Sequence, residues 1–335
     1  MSSVARVPEA SQDAGSPVTA REAWSGMRAD GARTAGRAVA SRFRYGDGFS
    51  HARALAFQLA LAALPLVIAV IGLAGAWEAA SVRLVLSRTV LQLTPGASDA
   101  LLRRTLPSGD TSLGTAALLL ATTSALVALA TAMAQVERGA NRIYGIQRDR
   151  PSVEKYRRAL ALSVLAGFPL MTGSLLILTR EAFAEAVESV YALDDDLVGA
   201  WTGPAGLVLV VVSLMVMLRR APARQQPHWP VLLVGSVLTV GAWTGLTLLL
   251  AGFLHLSTGF GSVYGPVTGV IALLLWAQLS ATAFFFGVAV SAELEMAAHR
   301  ARRQPAGPEG ARTGGAPPGT RTPPGHPPGH PPGHP

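Results

Sequence analysis

Apolar residues along this chain come in long unbroken windows, without the three-and-four spacing of a surface helix or the alternation of a half-buried strand. Six windows stand out, at residues 55–77, 112–134, 159–179, 199–218, 231–254 and 266–290, and none has Asp, Glu, Lys or Arg in its interior. A hydrocarbon core about 30 Å thick needs roughly 20 residues of helix rising about 1.5 Å each. A charge at mid-bilayer costs about 2.5–3.5 kcal/mol even on the gentler insertion scale. Six clean windows therefore read as spans and not as buried core helices. The predicted fold class is an all-α polytopic membrane protein with six transmembrane helices.

Between the windows the pattern changes. Residues 31–45 space Val39 and Phe43 against Arg33, Arg37, Arg42 and Arg44, which predicts either an interfacial amphipathic helix or a solvated one. Residues 79–105 offer the same two readings, with Val82, Val85, Leu86, Thr89 and Leu93 at helical spacing before "TPG" and a restart at Ser98. Residues 1–30 and 297–335 are rich in Pro, Gly, Ala and Ser and are expected to be disordered tails around a transmembrane domain at 31–296. The last residues repeat "PPGH", bringing His326, His330 and His334 into register. That repeat suits a polyproline-like tail better than a metal site.

Charge then sets the orientation. Of 28 basic residues, 23 fall in segments that alternate spans would place on one side. By the positive-inside rule both termini are expected to be cytoplasmic. The connection between the third and fourth windows instead carries Glu181, Glu185, Glu188, Asp194, Asp195 and Asp196. The basic stretch "ERGANRIYGIQRDRP" at 137–151 interleaves arginine with Tyr144, as a nucleic-acid binder would. Its place between two spans makes it a topology signal, with Tyr144 suited to the interface and no nucleic acid expected.

Candidate chemistry is sparse. The chain has no cysteine, which removes disulfides, thiol nucleophiles and cysteine metal sites. No HExxH, GxSxG, P-loop or paired-carboxylate pattern occurs, so no enzyme, cofactor or metal site is expected. Inside the windows Gln58, Thr122, Thr123, Ser124, Ser174, Thr244, Gln278, Ser280 and Thr282 are polar but uncharged. Carriers driven by protons or sodium usually place a charge there. Pro65 and Pro169 sit inside windows, and Gly167, Pro169 and Gly173 make the third the best candidate for a bent helix. Glu293 and Glu295 close the sixth window near Arg300, Arg302 and Arg303, as an ordinary charge-paired helix end would.

Three stretches carry a resemblance. They are "ALAFQLALAALP" in the first window, "QVERGANRIYGIQRDRP" followed by "YRRAL", and "VYGPVTGVIALLLWAQLSATAFFFG" before "SAELE". Together they resemble the YihY/BrkB family of bacterial inner-membrane envelope-integrity proteins over residues 43–296. Asn141, Tyr144, Tyr264, Gly265, Trp276, Gly287 and Glu293 stand at family-motif positions, while Gln58, Ala62 and Ala289 depart from residues the family often carries there. With Gln58, Pro65, Pro169 and Gln278 the motif positions form the candidate set for a cavity or packing surface. The resemblance implies six spans and a role in envelope integrity. Some members carry a ribonuclease label for which this sequence offers no chemistry. Three functions follow as expectations: moving lipid or another amphiphile, scaffolding envelope proteins, or exporting a solute.

Overall fold

The computed structural model describes residues 19–76, 115–146, 150–178, 195–224, 226–227, 229–256 and 268–303. They are helical throughout apart from turns and short connections, with no strand among them. In chain order the helices are α1 (Ala20–Asp30), α2 (Ala32–Tyr45), α3 (Gly48–Ala76), α4 (Thr115–Ile143), α5 (Ser152–Leu162), α6 (Phe168–Leu178), α7 (Asp195–Arg220), α8 (Trp229–Leu256) and α9 (Thr268–Arg303). A π-helical turn at Ser163–Gly167 joins α5 to α6 without a break. Six helical stretches are long and apolar enough to cross a membrane, one for each predicted window. The expected helix at 79–105, Tyr264, Gly265 and the histidine repeat lie outside the described residues.

The helices outrun their apolar windows, chiefly at the end where the basic residues gather. There α3 and α5 begin, and α4 and α9 finish, about two to four turns beyond the windows. The connection expected to be a long loop at 135–158 shrinks to the residues between Ile143 and Ser152. Helix α9 has 36 residues and a length of about 54 Å, well over the hydrocarbon thickness.

Two short helices cover this basic end. Residues 20–30, expected to belong to a disordered tail, form α1. Thr19 and Glu22 make a reciprocal capping box, and Gly31 ends the helix at φ 79°. The helix is ordered because its Ala23 face packs on the extension of α9, with Gly26 against the Ala297 backbone. Helix α2 uses its apolar side in the same way. Val39 and Phe43, which could have entered lipid, belong instead to the protein core. A tight turn at Gly46 and Asp47 then leads into α3. A Cβ on Gly46 would stand 2.9 Å from the Arg42 carbonyl and 3.0 Å from Ile143 Cα.

Each span packs on its neighbours in the chain, and α9 closes the circuit against α3. Across that ring, α4 has no more than sparse contact with α7 or α8 among the described residues. The third span divides its loyalties: α5 packs on α4, the π turn touches both α4 and α7, and α6 packs on α7. Pro169 accounts for the wide turn. Its ring has no N–H and would press on the carbonyl four residues back. The Phe168 N–H meanwhile reaches five back, to Ser163. Beyond it Gly173 and Gly206 touch backbone to backbone: a Cβ on either would lie 2.8 or 2.9 Å from the other's carbonyl oxygen. Close approach of this kind is how helices associate where lipid supplies no hydrophobic drive.

Candidate functional site

The interior is not filled evenly. Among the described residues the largest fully buried side chains, including Tyr144, Phe285, Ile143, Leu218, Leu232 and Leu294, lie toward the basic end. Small residues let the helices close there. A Cβ on Gly139 would stand 2.5 Å from Phe285 Cζ, and one on Gly287 would stand 2.9 Å from Thr239 Cβ. Toward the opposite end α4 exposes Leu119, Leu120 and Val127, and α8 exposes Leu248 and Leu249.

Above the apolar plug lies a layer of buried charge. Arg42 on α2 is 5% exposed; its Nε donates to Glu293 Oε2 at 3.0 Å and its Nη1 to the Ile143 carbonyl at 3.1 Å, while Nη2 reaches Met296 Sδ. Arg300 adds a second bond to Glu293, at 2.9 Å. Arg224, in the connection between α7 and α8, donates to Glu295 Oε1 at 2.5 Å, and its guanidinium lies 4.9 Å from the centre of the Tyr144 ring. Arg150 pairs with Glu137 at 3.0 Å and also donates to the Ala221 and Pro222 carbonyls at the end of α7. Asn141 Oδ1 accepts from the Ala223 N–H at 2.7 Å. Burial pushes the Tyr144 phenol above its ordinary range, with the nearby Glu295 carboxylate adding to the effect.

This layer changes two expectations and extends a third. Tyr144, suited by sequence to a membrane interface, is fully buried. Asn141 falls in the stretch that reads as a loop between spans; it is instead buried on α4 and holds the α7–α8 connection. Glu293 keeps the expected pairing within its own helix, with Arg300, and adds a buried partner, Arg42, 251 residues away in the chain. Arg42, Glu137, Arg150 and Arg224 were not picked out as site residues. The one cue in the sequence was the scarcity of acids on the basic side, where each carboxylate has several arginines to choose from.

The remaining candidates lie deeper and are not gathered into one place. Thr131 donates to Gln58 Oε1 at 3.0 Å, joining α3 to α4. One layer further toward the basic end, Gln135 and His51 Nδ1 are 2.9 Å apart. The Gln278 amide donates to Thr282 on its own helix at 3.2 Å. Trp243 donates to Ser280 Oγ at 3.0 Å and ties α8 to α9. The Trp276 indole nitrogen and the Thr122 hydroxyl are buried without a hydrogen-bond partner among the described residues. Pro65 is half-buried inside an unbroken α3. Among the described residues no cluster of His, Cys, Asp and Glu could hold a metal ion.

A ring of six apolar helices, sealed at one end by an apolar plug and a layer of ion pairs, defines a multi-pass membrane protein. The chain belongs to the BrkB family, described as virulence factor BrkB, whose pattern it matches over residues 39–312. No curated protein and no solved structure is a significant match.

Proposed function

We propose that the protein is a non-enzymatic component of the bacterial cytoplasmic membrane that supports envelope integrity by moving lipid or another amphiphile. The observation carrying this reading is the distribution of packing among the described residues: the fully buried side chains gather toward the basic end, contact across the ring is sparse, and the spans carry polar but uncharged groups. Unpaired donors such as Trp276 Nε1 and Thr122 Oγ1 cost free energy in a medium without water. A headgroup rich in acceptors would satisfy them as it passed. No Asp, Glu, Lys or Arg stands at mid-span to couple the movement to an ion gradient. The arginine bias supports a cytoplasmic location for both termini, and the resemblance to the YihY/BrkB envelope-integrity proteins supports the envelope role.

Reconstitution into liposomes with labelled phospholipids and a panel of solutes tests the reading. Lipid crossing faster than in empty vesicles supports it, solute flux alone replaces it with a solute exporter, and movement of nothing overturns it. Crosslinking in intact cells then decides the scaffold alternative, which requires a stoichiometric envelope partner.

A further inference from the structure

We propose that the buried ion-pair layer at the basic end is a gate that closes the route through the ring on that side. The inference rests on the transport reading and names the residues that control it. The pairs tie separate elements: Arg42–Glu293 joins α2 to α9, Arg224–Glu295 joins the α7–α8 connection to α9, and Arg150–Glu137 joins the start of the third span to α4. Arg150 and Asn141 also hold the backbone at Ala221, Pro222 and Ala223. Breaking this set removes the polar ties that hold α9 and the end of α7 to α2 and α4 at this end.

Three features argue for a seal that reopens over a permanent clamp. First, a permanent closure would be more stable if built from well-packed apolar side chains, because a buried ion pair adds little net stability over them. Second, the closed layer is not fully satisfied. Glu295 Oε2 and the Tyr144 hydroxyl are buried and have no hydrogen-bond partner among the described residues, an arrangement that water entry would relieve. Third, α9 carries both carboxylates on a helix whose contact with α8 is lined by small groups, with Gly287 against Thr239 and Ser291 against Gly235. At this end the closest contacts of Gly235 and Gly287 are with small groups, and the Arg224–Glu295 pair adds a polar tie beyond the Trp243–Ser280 bond deeper in the same contact.

The absence of native cysteine allows a direct test in the full-length protein in oriented vesicles. Ser291→Cys places a thiol in the fully buried plug beside the layer, and Thr122→Cys places one in the opposite half, on the α4 face that continues through Ala125 and Leu129. Labelling with a membrane-impermeant maleimide is then compared with and without Glu293→Gln or Glu295→Gln. A gate predicts that labelling at 291 from the basic side rises at least tenfold while labelling at 122 from the other side falls. The charge swap Arg42→Glu with Glu293→Arg should restore both. A rise at both positions, or a change at neither, overturns the gate and leaves a structural clamp. If the glutamine variants do not assemble, Glu293→Asp and Arg42→Lys keep the charges, loosen the geometry and are judged by the same criterion. Labelling needs no cargo, so opposed changes without lipid movement count against the transport reading alone.

Discussion

Replacing Gly287 by alanine should destabilise the protein even though alanine is the better helix former. At an unhindered interior helix position the exchange stabilises by about 1 kcal/mol. At Gly287 the new methyl group would overlap the Thr239 hydroxyl, stand 2.9 Å from Thr239 Cβ and 3.3 Å from the Gly235 carbonyl oxygen. The hydroxyl cannot simply swing away without giving up its bond to that same carbonyl, at 2.8 Å. Helices α8 and α9 must part by roughly 0.5–1 Å, and overpacking of this kind costs about 1–3 kcal/mol. The net loss is up to about 2 kcal/mol, or a few degrees of melting temperature for a chain of this size. Thermal unfolding in detergent, followed by tryptophan fluorescence, reads the shift. Gly241→Ala on α8 is the control, because a Cβ there meets nothing within 4 Å, and it should melt no lower than the parent. Thr239→Gly should recover part of the Gly287→Ala loss in a double-mutant cycle. Melting of the two alanine variants at the same temperature, or a cycle with no coupling, would refute the close-contact account.

Other outcomes follow from the same packing. Gly206→Leu should prevent α6 and α7 from meeting and cost more than Gly287→Ala, visible as loss of a monodisperse elution peak. Glu293→Ala leaves Arg42 buried without its carboxylate and should cost about 3–5 kcal/mol. Removal of Glu154, whose pair with Arg158 is exposed, should cost about 0–1 kcal/mol, and melting curves of the two variants compare them. Arg302 and the Thr19 cap hold the Glu22 carboxyl down at about 2. A lowered folded-state value stabilises above the unfolded value and is lost as protons bind. Docking of α1 should therefore be intact above about pH 4.5 and weaken as the pH falls toward 2, with amide exchange of residues 20–30 as the readout. High salt should weaken it as well, since the pair is at the surface.

The spans were legible because the bilayer asks one simple thing of a sequence, and hydropathy answers it. Pro169 was legible too, and the expected bend appears as a π turn. The helix ends were misread because hydropathy stops where the hydrocarbon stops, while backbone hydrogen bonding does not. "QVERGANRI" carries charge yet stays helical, since most of its side chains are covered by other elements. Tyr144 looked interfacial beside its arginines because nothing local announces that Arg224 will cover its ring. Arg42 and Glu293 sit in helices whose own patterns are complete without each other, and only the folded ring brings them together. Val39 and Phe43 show the converse: the amphipathic stripe was seen, but the surface it would meet was not.

The π turn has one consequence for everything that follows it in the third span. A wide turn holds one residue more than an α turn, which advances the rest of the helix by about 100°. Leu162 and Gly173 are eleven residues apart and would share a face in an unbroken helix. With the extra residue, Gly173 swings from the side that α5 turns toward α4 to the side where it meets Gly206. The span therefore serves two neighbours in sequence, and the number of residues at 163–167 sets which neighbour each half addresses. Deleting one residue there would leave α6 unchanged in sequence and turn it away from Gly206.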